Sequence, residues 1–135
     1  MPNIPEVVKK EKNLKILDKG VTASGLNKFL RGRGPYTVFA PSDSAFKKMG
    51  TESVEHLLKP ENKLQLDAFL NQHIIGRRVN FKDLKDGDKL NTLAGKEVIV
   101  KVKSGKVSIN GASILVADVQ SSNGVIHSLD AVLAT

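Results

Sequence analysis

Three histidines, His56, His73 and His127, are the side chains of this sequence best suited to acid–base chemistry. Ser128 follows His127, and Asp130 lies two residues further on. Because adjacent side chains of a β-strand point to opposite faces, His127 is not placed to take a proton from Ser128. The group therefore lacks the arrangement of a Ser-His-Asp triad, and we interpret His127 as a buried, hydrogen-bonded histidine.

Other signatures of catalysis or cofactor binding are missing from the sequence. Ala23-Ser24-Gly25 lacks the first glycine of a nucleophile elbow, and no glycine-rich phosphate loop occurs. The histidines have no metal-ligand spacing, and the chain contains no cysteine. Asp86 and Asp88 flank Gly87 and are interpreted as turn formers. We therefore expect no enzymatic activity, no cofactor and no metal site.

Length and composition predict one globular domain spanning residues 1–135. The chain has a mass of 14.6 kDa and 40% hydrophobic residues, enough to build one core. It has no apolar run of the length that a membrane-spanning helix needs. Aromatic residues make up only 4%, which weighs against stacking surfaces for nucleic acid.

The formal charge of +7 is unevenly distributed along the chain. Residues 1–33 carry a net charge of +5, whereas residues 107–135 carry −2 and contain no lysine or arginine. A basic amino-terminal half would steer acidic partners toward the protein. We nevertheless interpret the charges mainly as a solvated surface rather than as a dedicated polyanion site.

The elements that must position these side chains change type along the chain. Helical spacing of apolar residues begins at Ile4, and Gly20 is expected to break the second helical segment. The segment Ser42-Asp43-Ser44 is predicted to provide the amino-terminal cap of a helix that starts near Ser44, after a strand over 36–39. A longer helix is predicted over about 61–73, with an apolar stripe made of Leu64, Ala68, Phe69 and His73.

The second half has the alternation and turns of β-strands. Strands are predicted over 96–102, 107–109, 112–119 and 125–129. Asn110-Gly111 is the strongest hairpin signal, because both positions of a type I′ turn need a positive φ. Helices followed by strands, without strict alternation, predict an α+β fold with a mainly antiparallel sheet.

Two segments resemble the signatures of fasciclin-like domains. Residues 36–46, Tyr-Thr-Val-Phe-Ala-Pro-Ser-Asp-Ser-Ala-Phe, are similar to the first signature, and residues 123–133, Asn-Gly-Val-Ile-His-Ser-Leu-Asp-Ala-Val-Leu, to the second. Residues 70–75 resemble the central Tyr-His segment of the family. The resemblance implies a single fasciclin fold, a mainly antiparallel β-wedge with several helices packed along it. It also implies an adhesion role on secreted or surface proteins.

The signature residues are interpreted mainly as structural. In the family picture the two signatures lie on neighbouring strands and hold the domain closed. The residues that match them are Thr37, Val38, Phe39, Ala40, Pro41, Asp43, Phe46, Asn123, Gly124, Val125, Ile126, His127 and Asp130. Val38, Phe39 and Phe46 are expected in the core.

Adhesion residues are suggested only by the resemblance. An Asp-Ile pair before the second signature corresponds here to Asp118-Val119, and the Tyr-His segment corresponds to His73-Ile74, with Gln72 in place of the tyrosine. An exposed carboxylate suits a metal-bearing receptor, because it is a hard oxygen ligand. Two alternatives stay open: Asp118 as the polar end of a strand, and His73, partly charged, as a partner for the end of its helix.

These observations predict a non-catalytic, monomeric interaction module that is extracellular, at the cell surface or periplasmic. Its partner would be a cell-surface or matrix protein, or an acidic glycan, rather than nucleic acid. No leader is visible in residues 1–13. The alternative is a binding protein for a small hydrophobic ligand, with a cavity lined by residues 98–102 or 114–116; an enclosed pocket would favour it and a packed interior would not.

Overall fold

A computed structural model describes residues 2–133 of the chain, so residues 1, 134 and 135 of the expected domain lie outside the description. The helices occupy the first half of the sequence and most strands occupy the second, as predicted. The helices are α1 (Ile4–Lys10), α2 (Lys15–Ser24), α3 (Leu26–Phe29), α4 (Asp43–Met49), α5 (Thr51–Leu58) and α6 (Lys63–Asn71), with 3-10 turns at Pro60–Asn62 and Phe81–Asp83. None of the helices in residues 2–133 is long and apolar enough to cross a membrane.

Within residues 2–133, seven strands form one mixed sheet. They are β1 (Tyr36–Pro41), β2 (Ile74–Ile75), β3 (Lys89–Asn91), β4 (Glu97–Lys103), β5 (Lys106–Ile109), β6 (Ala112–Ser121) and β7 (Gly124–Leu129), in the order β2-β1-β7-β6-β5-β4-β3. β1 and β7 pair in parallel and all other neighbouring strands pair antiparallel. The two signature segments therefore lie side by side, with Thr37 opposite Val125 and Phe39 opposite His127.

Two apolar cores lie on opposite faces of the β1–β7 pair. Val38, Ala40 and Ile126 pack against α1, α2 and α6. Phe39 and Leu129 face the other way, into a core formed with the β3–β5 strands. Because alternate residues of a strand point to opposite faces, a strand between two cores must be apolar on both. This explains why every residue of β7 is buried.

At the junction between β1 and α4, the end of the strand lies beside the first turns of two helices, α4 and α2. Ser42 Oγ accepts a hydrogen bond from the backbone N–H of Ala45 at 3.3 Å, which confirms the predicted cap. Asp43 lies in the first turn of α4, as expected. Its Oδ1 also accepts a hydrogen bond from the N–H of Ile16 at 2.9 Å, so the same carboxylate serves the first turn of α2.

Two expectations about the helices were wrong. Gly20 does not break a helix but lies inside α2, where Leu66 and Leu70 of α6 approach it closely. Leu64 and Ala68 do not face the core, since both are exposed, and the exposed fraction of Leu64 is 84%. The buried residues of α6 are instead Leu66 and Leu70.

The predicted hairpins are confirmed. Asn110 and Gly111 have φ of 48° and 87°, and the Ser104-Gly105 turn between β4 and β5 has φ of 53° and 78°. Both positive values in each turn fit the type I′ geometry that joins twisted antiparallel strands. Asn110 adds a contact that the spacing did not predict, because its Oδ1 accepts a hydrogen bond from the N–H of Ile99 at 2.7 Å.

Candidate binding surface at the bulge of strand six

A β-bulge in β6 brings the candidate residue Asp118 to the surface. Val116 pairs with Ser128 and Val119 pairs with Ile126, so Ala117 and Asp118 together face only His127. Asp118 has a φ of 58°, a left-handed conformation that aspartate tolerates better than most residues. Bulges redirect side chains at such points. The bulge therefore directs the exposed carboxylate of Asp118 outward from β6, although the neighbouring strand β7 is well paired.

His127 holds the bulge from beneath. Its Nε2 donates to the carbonyl of Val79 at 2.8 Å, and its Nδ1 accepts from the N–H of Asp118 at 3.1 Å. These two bonds require the neutral ring, since a protonated imidazole would present two donors. Burial lowers the pKa of His127, and the bond to Val79 and the charge of Asp118 offset this only partly. His127 is thus the buried, hydrogen-bonded histidine that the sequence predicted.

Asp118 has both a structural contact and an accessible charge. Its Oδ1 accepts a hydrogen bond at 2.8 Å from the N–H of Phe81, the first residue of the second 3-10 turn. Within residues 2–133, Oδ2 has no hydrogen-bond partner, and the residue is exposed. The adjacent Val119 is half-buried and packs against the helical core. Of the Asp118-Val119 pair, the aspartate is therefore the residue that faces outward.

The surroundings of Asp118 form a small polar surface, here called the bulge surface and defined by Asn80, Asp118 and Gln120. Arg78 Nη1 donates to Gln120 Oε1 at 2.7 Å and to the carbonyl of Gly124 at 3.0 Å. These bonds connect the segment that follows β2 to β6 and β7. The side chains beside Asp118 therefore extend from backbone that is held in place by hydrogen bonds.

The second pair of adhesion candidates, His73 and Ile74, lies in the interior. Only 1% of His73 and 2% of Ile74 is exposed. His73 Nδ1 donates to the carbonyl of Phe69 at 2.8 Å, and Nε2 accepts from the N–H of Leu133 at 3.0 Å. Neither side chain is accessible to a partner in this conformation, and neither shares a hydrogen-bond network with Asp118.

His73 does contact the end of its helix, but as a neutral group. Burial lowers the pKa of His73 from 6.5 to about 4, and the hydrogen bond to Phe69 offsets only part of that effect. The expectation of a partly charged imidazole at the helix end was therefore wrong. The ring satisfies a terminal carbonyl by hydrogen bonding, not by charge.

Several signature residues form hydrogen bonds or close contacts that hold the ends of helices and strands in place. Asn123 Oδ1 accepts from the N–H of Ile4, while Nδ2 donates to the carbonyls of Leu30 and Gly32. Asn123 thus joins the start of α1 to the residues that follow α3. A side chain at Gly124 would collide with the backbone of Tyr36, so only glycine permits this approach of β7 to β1.

Thr37 and Asp130 have comparable roles. Thr37 Oγ1 donates to the carbonyl of Arg77 at 2.6 Å and accepts from the N–H of Val79 at 2.7 Å. Asp130 Oδ1 accepts from the N–H of Ser113 at 2.8 Å. The sequence suggested that these residues are structural, but the partners are far apart in the chain and carry no local signal.

The fasciclin domain model matches residues 12–135. The chain belongs to the fasciclin domain family. It is 39% identical over 130 residues to protein sll1483 of Synechocystis, covering 96% of this chain and 72% of that protein. It is 36% identical over 132 residues to transforming growth factor-beta-induced protein ig-h3 of Sus scrofa, covering 97% of this chain and 19% of that protein.

The fold agrees with a solved fasciclin structure. A FAS1 domain pair from the insect cell adhesion molecule Fasciclin I superposes with a TM-score of 0.88 at 19% identity, covering 99% of this chain and 51% of that chain. Fasciclin domains are known in adhesion proteins, are generally non-enzymatic and are typically extracellular or at the cell surface. A relative named heme ligase, from Plasmodium falciparum, is 27% identical over 136 residues, covering 85% of this chain and 65% of that protein.

The cavities inside the fasciclin domain are small. An apolar cavity beneath α1, α2 and β1 has a volume of about 10 Å³, and a second between α2, α5 and α6 is equally small. Such a volume is close to that of a single water molecule. Val100 is buried in the second core, and Val98 borders a hollow of about 110 Å³ whose other side chains are mostly polar, among them Gln72 and Thr92. A drug-sized ligand needs hundreds of cubic ångströms, so the alternative of a hydrophobic-ligand carrier finds no support in these cavities.

Proposed function

We propose that this fasciclin domain is a non-catalytic adhesion module, displayed at the cell surface or outside the cell, which binds a partner protein through the bulge surface. One observation carries the proposal: the carboxylate of Asp118 is exposed, while hydrogen bonds with Phe81 and His127 fix the conformation of this residue. The adhesion role of relatives in the same family supports the class of function.

The geometry of Asp118 suits recognition of a cation on the partner. Its Oδ1 is held by Phe81, so the carboxylate loses little rotational freedom when a partner binds. Its Oδ2 faces solvent and is a hard ligand, suited to a divalent metal or to an arginine on the partner. Asn80 and Gln120, which are hydrogen-bonded to each other at 3.4 Å, add polar groups beside it.

The proposal is tested with the Asp118→Asn variant in a cell-attachment assay on wells coated with the purified chain. Asparagine keeps the acceptor for Phe81 and tolerates the positive φ, so the unfolding midpoint is expected to stay nearly unchanged. Loss of the charge is expected to reduce attachment roughly tenfold, as for truncation of an interface charge pair.

Glu6→Gln is the matched control. Glu6 is also exposed, and its Oε1 also accepts one backbone hydrogen bond, from Asn3 at 3.2 Å. This variant removes the same charge from a different surface and is expected to leave attachment unchanged. Equal attachment by the wild type and Asp118→Asn, or equal losses in both variants, would contradict a role for the bulge surface.

A further inference from the structure

We infer that the outer face of the β4–β5 hairpin binds an acidic polysaccharide. This basic hairpin face is defined by Lys101, Lys103, Lys106, Ser108 and Ser113. These side chains line an open hollow of about 370 Å³. The inference rests on the proposed function, since it names a second ligand for a domain displayed outside the cell, on a surface separate from the bulge surface.

The register of the hairpin places the lysines together. Lys103 is directly opposite Lys106, beside the two-residue turn. Lys101 is two residues from Lys103 and therefore lies on the same face. The alternate residues Val100 and Val107 are buried, which fixes that face toward solvent. The strand pairing therefore fixes the Cα positions from which the three lysine side chains extend on this face.

The lysine pair is unfavourable unless an anion is present. Like charges directly opposite one another in an antiparallel pair destabilise a sheet. Across residues 2–133, the only ion pair within 4.0 Å joins Lys63 and Asp67, so Lys103 and Lys106 have no such partner. A bound sulfate or carboxylate group between them would remove the repulsion and add charge-assisted hydrogen bonds.

Hydroxyl groups complete the hollow. Ser108 is opposite Lys101 on one side and opposite Ser113 on the other, and Ser104 lies in the turn. A row of hydroxyls beside ammonium groups can donate to anionic oxygens and also accept from sugar hydroxyls. This mixture matches a chain that carries both charges and hydroxyls, which is the chemistry of an acidic polysaccharide.

Two carboxylates are engaged by the backbone of strands that carry the basic hairpin face. Asp86 accepts from the N–H of Val102, and Asp130 accepts from the N–H of Ser113. Within residues 2–133, neither carboxylate lies within 4.0 Å of a lysine ammonium group, so neither forms an ion pair with the lysines of this face.

Other polyanions fit the face less well. The side chains lining the hollow include no aromatic residue on which nucleobases could stack. A membrane surface is bound by apolar side chains that insert between lipids, whereas the side chains that line this hollow end in ammonium or hydroxyl groups, apart from the buried Val107. A flexible polysaccharide chain can enter the hollow.

The test uses heparin as the sulfated probe and polygalacturonate as the carboxylated probe. The Lys101→Gln/Lys103→Gln/Lys106→Gln variant is expected to bind whichever polysaccharide the wild type binds roughly tenfold more weakly, with a smaller dependence on salt. Because like-charge repulsion is removed, this variant is expected to unfold at the same or a higher temperature, which shows that it is folded.

The matched control is Lys9→Gln/Lys10→Gln/Lys12→Gln, which removes three exposed lysines from the amino-terminal segment. Its net charge is the same, and it should retain binding within about twofold. Equal losses in both variants, no binding to either polysaccharide, or tighter binding to duplex DNA or to phosphatidylserine vesicles would overturn the inference. Cell attachment through Asp118 is measured separately, so failure of one proposal is distinguishable from failure of the other.

Discussion

At the scale of single residues, the two buried histidines act as connectors between segments. Each ring donates to a carbonyl and accepts from an N–H: His73 between Phe69 and Leu133, and His127 between Val79 and Asp118. Both roles require the neutral form, and burial lowers the pKa of both groups. Protonation therefore competes with folding.

The stability of the domain should fall as the pH is lowered from 6.5 toward 4. The unfolded chain binds a proton on His73 with a pKa of 6.5, whereas the folded chain does so only at about 4. Between these values the unfolded state binds more protons, so the stabilisation present above pH 6.5 is lost on acidification. The loss from His73 is on the order of 3 kcal/mol, measured by urea unfolding at pH 7.5 and pH 4.

Two variants separate this effect from general acid sensitivity. His73→Gln is expected to be less stable at pH 7.5 but to lose less stability on acidification than the wild type. His56→Gln changes an exposed histidine and should behave as the wild type does. If His73→Gln lost as much stability as the wild type over this range, His73 would not be the group that couples pH to folding.

At the scale of elements, the start of α4 also supports α2. The carboxylate of Asp43 satisfies the N–H of Ile16, and the N–H of Asp43 donates to the carbonyl of Asn13 at 2.7 Å. These contacts fix two helix starts relative to the end of β1. One acidic side chain therefore links three elements that are separated in the sequence.

Removing this link should destabilise the domain measurably. Asp43→Ala leaves the N–H of Ile16 without its acceptor, and we expect a loss of about 1–2 kcal/mol in chemical denaturation. Asp43→Asn keeps an acceptor but loses the charge near two helix starts, so its cost should be smaller, about 0.3–1 kcal/mol. Equal costs for the two variants would mean that charge, and not the hydrogen bond, provides the link.

Local patterns predicted those elements that are determined locally. The Asn110-Gly111 turn and the Ser42 cap depend on neighbouring residues and were predicted correctly. Leu64 and Gly20 were assigned wrongly because helix phase and helix packing depend on contacts between α2 and α6, which no local pattern contains. The family resemblance alone placed β1 beside β7, and the parallel direction of the pair was not predicted.

The candidate site shows the same division. Alternation placed Asp118 on a strand, but the bulge that exposes it depends on the registration of β6 with β7 and on His127. The basic hairpin face could have been predicted from the sequence, because two lysines alternate with valines in β4 and a two-residue turn places Lys106 opposite Lys103. The net charge of chain segments indicated residues 1–33 as the basic region instead.

At the scale of the whole molecule, the interior is filled and the accessible chemistry lies on the surface. Two apolar cores enclose the β1–β7 pair, and both buried histidines are occupied by backbone partners. The bulge surface and the basic hairpin face differ in charge and lie on different elements. A domain of this kind can present two chemically distinct contacts without changing shape.

The most direct test of the central claim is saturation binding of the fluorescently labelled chain to intact cells. Because relatives occur in Synechocystis and in mammals, both cyanobacterial cells and fibroblasts are used. We predict that the labelled chain binds saturably and that excess unlabelled wild-type chain displaces it. Unlabelled chain carrying Asp118→Asn should displace it poorly. Binding that does not saturate on either cell type, or displacement by Asp118→Asn equal to that by the wild type, would contradict the account.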